Sequence, residues 1–394
     1  MRPNPSKTGY YVLEGINSFA AAFYFNYLLF LLRDVHGFGN FQNLIVGAVH
    51  GLIYIPASWF GGWLGQRQGY FTSLRIGFGG MALSVALGGL VPALWGQLAA
   101  LGLWTFSMCF TWPVLEALVS EYEPAERLPR RVGFYNVVWA STAALGYSTG
   151  GWIFEQFGRA SLYVLPVVLN GVLFLATWPL KAKHDRWLAS APPVGVTTAP
   201  AVDSDRPRYF QRLAWTANPF NYMAGNTILA VVPGIAVHVG LGIPEAGLVM
   251  SVWYYVRAAA FLKLWWWPGW HYHFGWFLSA LVLLLVGFVT ILTAPWVWLL
   301  VVAQIAFGWA SALLYYSSLY YAMDGSETHG EHGGIHEALI GIGICGGPAV
   351  SALAQWATNQ PMAPAWTVTA FLAAGIGIAL RVRRNGLRSA ARND

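Results

Sequence analysis

The sequence predicts an all-α integral membrane protein with twelve transmembrane helices in two pseudo-symmetric six-helix bundles. Three observations carry this. Of 394 residues 57% are hydrophobic and 10% charged, against about 25% charged in an ordinary soluble domain. The charged residues are clustered, leaving uncharged runs from Val35 to Gln66, Ile76 to Leu115, Leu213 to Pro244, Leu264 to Met323 and Ala338 to Leu380. Each run holds one or two bilayer spans of about 20 residues. Finally, one polar segment, Lys181 to Arg212, with Pro192, Pro193, Pro200 and Pro207, splits six apolar stretches from six.

Backbone groups in hydrocarbon must be satisfied internally, so each apolar stretch reads as a helix. The first half gives Gly9 to Leu32, Gln42 to Gly65, Thr72 to Pro92, Leu94 to Ser120, Val132 to Phe154 and Ser161 to Leu180. The second gives Leu213 to Val237, Glu245 to Trp266, Tyr272 to Thr293, Trp296 to Ala322, Gly334 to Trp356 and Ala363 to Leu380. The first stretch contains Glu14 and Asn17 and runs on to Leu32, so it reads as a retained span and not a cleaved signal. The expected units are residues 1–180, a cytoplasmic linker at 181–212, and residues 213–394 with a basic tail. A faint internal repeat lays Gly133 on Gly334, Tyr135 on His336, Asn136 on Glu337 and Gly146 on Gly347, which suggests two pseudo-symmetric bundles.

Orientation follows from lysine and arginine. Of the 22 basic residues, all but Arg33, Arg159 and Arg257 fall on the side shared by both termini, so both termini are expected in the cytoplasm and the chain in the cell membrane. The net charge of +6 is spread over every loop on that side. No nucleic-acid partner is implied, and attraction to anionic headgroups suffices. Cys109 and Cys345 sit in apolar runs as small core residues.

Between the second and third stretches the chain reads Gly62-Trp63-Leu64-Gly65-Gln66-Arg67-Gln68-Gly69-Tyr70-Phe71. This resembles the Gly-x-Leu-Ala-Asp-Arg-x-Gly-Arg-Arg/Lys loop of the major facilitator superfamily, with Gln66 in place of the aspartate and Tyr70-Phe71 in place of the basic pair. Pro113 to Glu121, followed by Glu126-Arg127 and Arg131-Val132-Gly133, is similar to the family's acidic-then-basic loop. Gly146 to Gly151 is close to the Gly-Pro-x-x-Gly-Gly of drug antiporters without its proline. The resemblance implies a central cavity lined by helices 1, 4, 7 and 10, and a gating role for Gly62, Gly65, Arg67 and Gly69. The arginine expected on helix 4 of proton-coupled members is missing from Leu101 to Met108.

Ionisable residues inside spans are costly and mark function. Glu14 on helix 1 shares its face with Asn17, and Glu116 on helix 4 has Trp112 one turn before it. Either glutamate is a proton-coupling candidate; interfacial snorkelling for Glu14 and a structural hydrogen bond for Glu116 are the alternatives. On helix 7, Asn218, Asn221, Gly225 and Asn226 form a polar stripe, or packing glue. Arg257 on helix 8 needs a partner, for which Glu337 is the candidate; an Arg257 that faces the cavity would favour an anionic substrate. Tyr316 stands among Trp309, Tyr315, Tyr320 and Tyr321 on helix 10, rings that suit stacking on a ligand or a membrane-interface belt.

The acidic segment with Asp324, Glu327 and Glu331 opposes the basic Arg127, Arg130 and Arg131, and pairs between them would close the cytoplasmic side. His332 and His336 lie one turn apart there, but Gly330, Gly333 and Gly334 enforce no tetrahedral spacing, and no metal is expected. Gly341 to Gly346 fits Gly-x-Gly-x-x-Gly inside a span with no preceding strand, so it reads as a helix-packing surface. With no Walker loop or nucleophile signature, neither cofactor nor enzyme activity is expected. The reading is a monomeric secondary transporter of a small-molecule substrate, coupled to protons as symport or antiport. Efflux of amphiphiles, or a non-transporting membrane enzyme or sensor, is the alternative.

Overall fold

The computed structural model describes residues 4–123, 127–190, 205–324 and 329–393, the side chains of 205–208, 322–324, 329–335 and 386–393 excepted. Every secondary-structure element among the described residues is a helix, and none is a strand. Spans 1 to 3 are α1 (Lys7–His36), α2 (Asn40–Gln68) and α3 (Tyr70–Leu90). Span 4 is broken into α4 (Leu94–Met108) and α5 (Trp112–Ser120), and spans 5 and 6 are α6 (Leu128–Phe157) and α7 (Ser161–Ser190). In the second half come α8 (Asp205–His238), a broken span 8 of α9 (Ile243–Met250) and α10 (Val252–Trp266), then α11 (Phe274–Thr293), α12 (Val297–Asp324), α13 (His329–Thr358) and α14 (Ala363–Asn393). Ten of these spans are long and apolar enough to cross a membrane. The other two are the polar α6 and span 8, which its break leaves in short pieces.

Most helices overrun the apolar stretches that announced them. In particular α7 continues to Ser190 and α8 begins at Asp205, both inside the segment expected as linker. Hydropathy marks only the part of a helix in hydrocarbon; the ends continue where charged residues meet water and loops. Lys7 opens α1 in this way, its ammonium donating to the carbonyls of Val119 (2.7 Å) and Glu121 (3.0 Å).

The two breaks have local causes. Pro113 has no amide to donate to the Cys109 carbonyl four residues before it, and at the same break the Phe110 carbonyl accepts from the Ser73 hydroxyl at 3.0 Å. At the break near Ser251, Gln304 of α12 serves both sides: its amide nitrogen donates to the Val249 carbonyl (3.0 Å) and its oxygen accepts from the Trp253 amide (3.4 Å). Such irregular backbone is tolerated at membrane depth only inside protein.

The helix pairing repeats between halves. α1 packs on α6 as α8 packs on α13; α3 packs on α4 and α7 as α11 packs on α12 and α14. The halves meet along two seams that this repeat exchanges, α2 against α13 and α6 against α9 and α10. Close approach there requires glycine. A Cβ on Gly51 would strike the backbone of Cys345, and one on Gly151 would lie 2.7 Å from the Ile243 carbonyl.

Candidate functional site

Between the halves, midway along the helices, lies a cavity of about 180 Å³ lined from α1, α2, α4, α5, α6, α8, α10, α12 and α13. Spans 2, 5, 8 and 11 therefore contribute as well as the expected 1, 4, 7 and 10. Span 8 does so through Arg257, which is 4% exposed. Its guanidinium sits over the rings of Trp139 (4.6 Å), Tyr315 (5.2 Å), Phe261 (5.6 Å), Tyr222 (5.8 Å) and Trp253 (6.0 Å). One terminal nitrogen donates to the Tyr222 hydroxyl at 3.4 Å, and Nε has no partner. The expected Arg257–Glu337 pair does not form: Glu337 accepts instead from the Tyr54 hydroxyl of α2, across the seam. Among the described residues no carboxylate lies within ion-pair distance of Arg257. Ring faces carry a partial negative charge and hold the cation while leaving its in-plane donors open.

Glu14, Glu116 and Glu337 line the same cavity, all buried. Glu14 accepts from the Ser18 hydroxyl (2.6 Å) and Glu116 from that of Tyr315 (3.3 Å); the second oxygen of each is without a partner. Snorkelling of Glu14 to the interface is thereby ruled out, since its carboxyl points into the core.

Trp112, Asn221 and Asn226 also line the cavity. Two expected residues do not. Asn17 turns to the break in span 4 and donates to the Thr111 hydroxyl (3.2 Å), because at i+3 from Glu14 it falls on the flank of that face. Tyr316 packs outside, on Phe261 and Trp270, with its hydroxyl 3.5 Å from the Pro129 carbonyl; Tyr315, a helical step away, takes the inward position. The sequence reading missed His50, Tyr54, Trp104, Tyr135, Trp139, Tyr222 and Tyr254. These are polar or aromatic residues common at interfaces, and only their shared depth on neighbouring helices distinguishes them.

The halves touch on both sides of the cavity. On the face away from the termini, Arg33 donates to the Pro233 carbonyl and the Asn40 amide abuts Gly234. Toward the termini, Gly133 of α6 meets the Trp265 ring and the Tyr316 hydroxyl. Of the basic segment expected to pair across the halves, Arg131 pairs within its own half: its Nε donates to Glu123 (3.1 Å), which also pairs with Lys7 (2.8 Å). Arg130 is exposed, and the side chains of Asp324 and Glu331 lie outside the described residues. In the α2–α3 loop Gly69 has φ +91°, a conformation that favours glycine, and Gly65 packs on Val114. Gly62 is buried in α2, and Arg67 lies over its neighbour Trp63 at 4.7 Å.

Twelve spans in two repeated halves around a central cavity that holds buried charged groups define a membrane transporter. The model of the major facilitator superfamily matches residues 11–217, and the chain belongs to that family. No curated protein matches it by sequence. Solved structures share the fold at low identity. The nucleoside transporter NupG is 12% identical (TM-score 0.67), over 98% of each chain. The human organic anion transporter MFSD10 is 15% identical (TM-score 0.69), over 96% of this chain and 100% of that one. A bacterial homologue of the human lysosomal transporter Spinster, inward-facing and unoccupied, is 13% identical (TM-score 0.67), over 98% of each chain.

Proposed function

We propose that the protein is a secondary active transporter that carries a small organic anion with protons by alternating access. The observation that carries this reading is Arg257: a buried cation that lines a cavity between the halves, with no carboxylate in ion-pair range among the described residues and Nε without a partner. An anion entering there gains a charge-assisted, two-pronged contact. The rings of Trp112, Trp139 and Tyr222 add flat apolar surface that suits a planar or conjugated substrate.

Charge balance supplies the coupling. Three carboxylates and one guanidinium line the cavity, and isolated buried charge is expensive. An anion is accommodated when protons occupy the glutamates, so substrate and protons move together. The organic anion transporter with the same fold is consistent with this reading.

The test is flux into proteoliposomes with an internal pH dye and a panel of organic anions, sugars, amino acids and nucleosides. An organic anion is expected to drive proton entry that is lost in Glu14→Gln or Glu116→Gln. Transport of uncharged solutes alone, indifferent to Arg257→Gln, would overturn the proposal.

A further inference from the structure

A second, larger cavity of about 1340 Å³ opens on the outer surface between α1 and α6, with α7 behind it. Its walls are apolar: Ile16, Phe19, Val138, Leu165 and Leu169 line it, and Val12 (54% exposed) and Phe134 (42%) stand at its rim. At the end nearest the termini the wall changes character, to Arg127, Arg130 and Arg131. Arg127 and Arg130 make no ion pair with a described residue, and Arg131 commits only its Nε to Glu123. From Arg130 to Thr142, both lining residues, α6 rises ~18 Å, close to the ~15 Å of one leaflet's hydrocarbon.

We propose that this groove is a binding site for an anionic phospholipid, its phosphate held by Arg127, Arg130 and Arg131 and one acyl chain laid between α1 and α6. Charge chooses the occupant: an uncharged or zwitterionic lipid fills the apolar part equally well but leaves Arg127 and Arg130, which pair with no carboxylate among the described residues, without a net negative partner. The site also bears on motion. Trp265, from the second half, closes one side of the groove and packs on Phe134 with ring centroids 6.4 Å apart. A lipid seated there touches both halves at the α6–α10 seam, and so favours the arrangement in which that seam is closed.

The experiment is native mass spectrometry of the full chain released from detergent containing equal phosphatidylglycerol and phosphatidylcholine of matched chains. Wild type is expected to retain phosphatidylglycerol selectively. Arg127→Gln with Arg130→Gln should lower that selectivity about tenfold or more, given the attraction of each basic residue to anionic lipid. Val138→Trp, which fills the groove and leaves the charges, should reduce retention of both lipids. Arg381→Gln with Arg384→Gln, exposed on the same face, should retain full selectivity. Equal retention of the two lipids by wild type, or equal loss of selectivity in the Arg381/Arg384 pair, would overturn the proposal. Neither result depends on what the central cavity carries.

Discussion

Arg257 shows how much a single side chain can decide. A guanidinium is planar and always charged, whereas a lysine ammonium is a point charge on a flexible stem. With five rings around it, Arg257→Lys keeps the charge and loses the paired donors. We expect its KM for the transported anion to rise at least about tenfold, and Arg257→Gln to cost about 2–5 kcal/mol of binding, the usual cost of removing one partner of a buried charge pair. Both are measured by tracer uptake. An unchanged KM in both variants would remove Arg257 from the substrate site. Glu337 was legible as a buried acid but not as the partner of Tyr54, because that contact joins spans 2 and 11, far apart in the chain.

Elements bring a different kind of dependence. The α2–α13 seam is closed by glycine, with Gly51 against the Cys345 backbone and Gly341 against Ile55 and Tyr54. Gly51→Val places two methyl groups where Cys345 backbone stands, so the seam must open. In a Cys109→Ala background, Cys345 should then react faster with a membrane-impermeant thiol reagent; no change in rate would show that the seam flexes without opening. At the other end of the first half, Lys7, Glu123 and Arg131 tie the start of α1 to the start of α6, with Lys7 and Glu123 3% and 5% exposed. Removing one partner of a buried pair costs about 3–5 kcal/mol, and Arg131 remains to compensate Glu123, so Lys7→Met should fall near 3 kcal/mol. A thermal midpoint in detergent equal to that of wild type would contradict this.

At the scale of the whole molecule, alternating access requires the face away from the termini to open. Asn40 and Gly234 touch there across the halves, within reach of a disulfide. Asn40→Cys with Gly234→Cys, oxidised, should stop flux, and a reductant should restore it. Flux that persists in the oxidised protein would mean that this face does not move during transport.

The twelve spans, their division into six and six, and the family were legible in the sequence alone. A membrane span is a local property: about 20 apolar residues must bury their own backbone bonds whatever surrounds them. Glu14, Glu116 and Arg257 stood out for the same reason, since a charge inside a span is costly wherever it points. Tertiary structure alone decided where each one points. Asn17 and Tyr316 left the cavity while Tyr315 and Tyr54 entered it, because the side chain of a helical residue turns about 100° per position and its facing is fixed by the neighbouring helix. The breaks at Thr111 and Ser251 and the pairing of Arg131 within its own half were settled likewise. Each depends on a partner that becomes near only when distant segments pack.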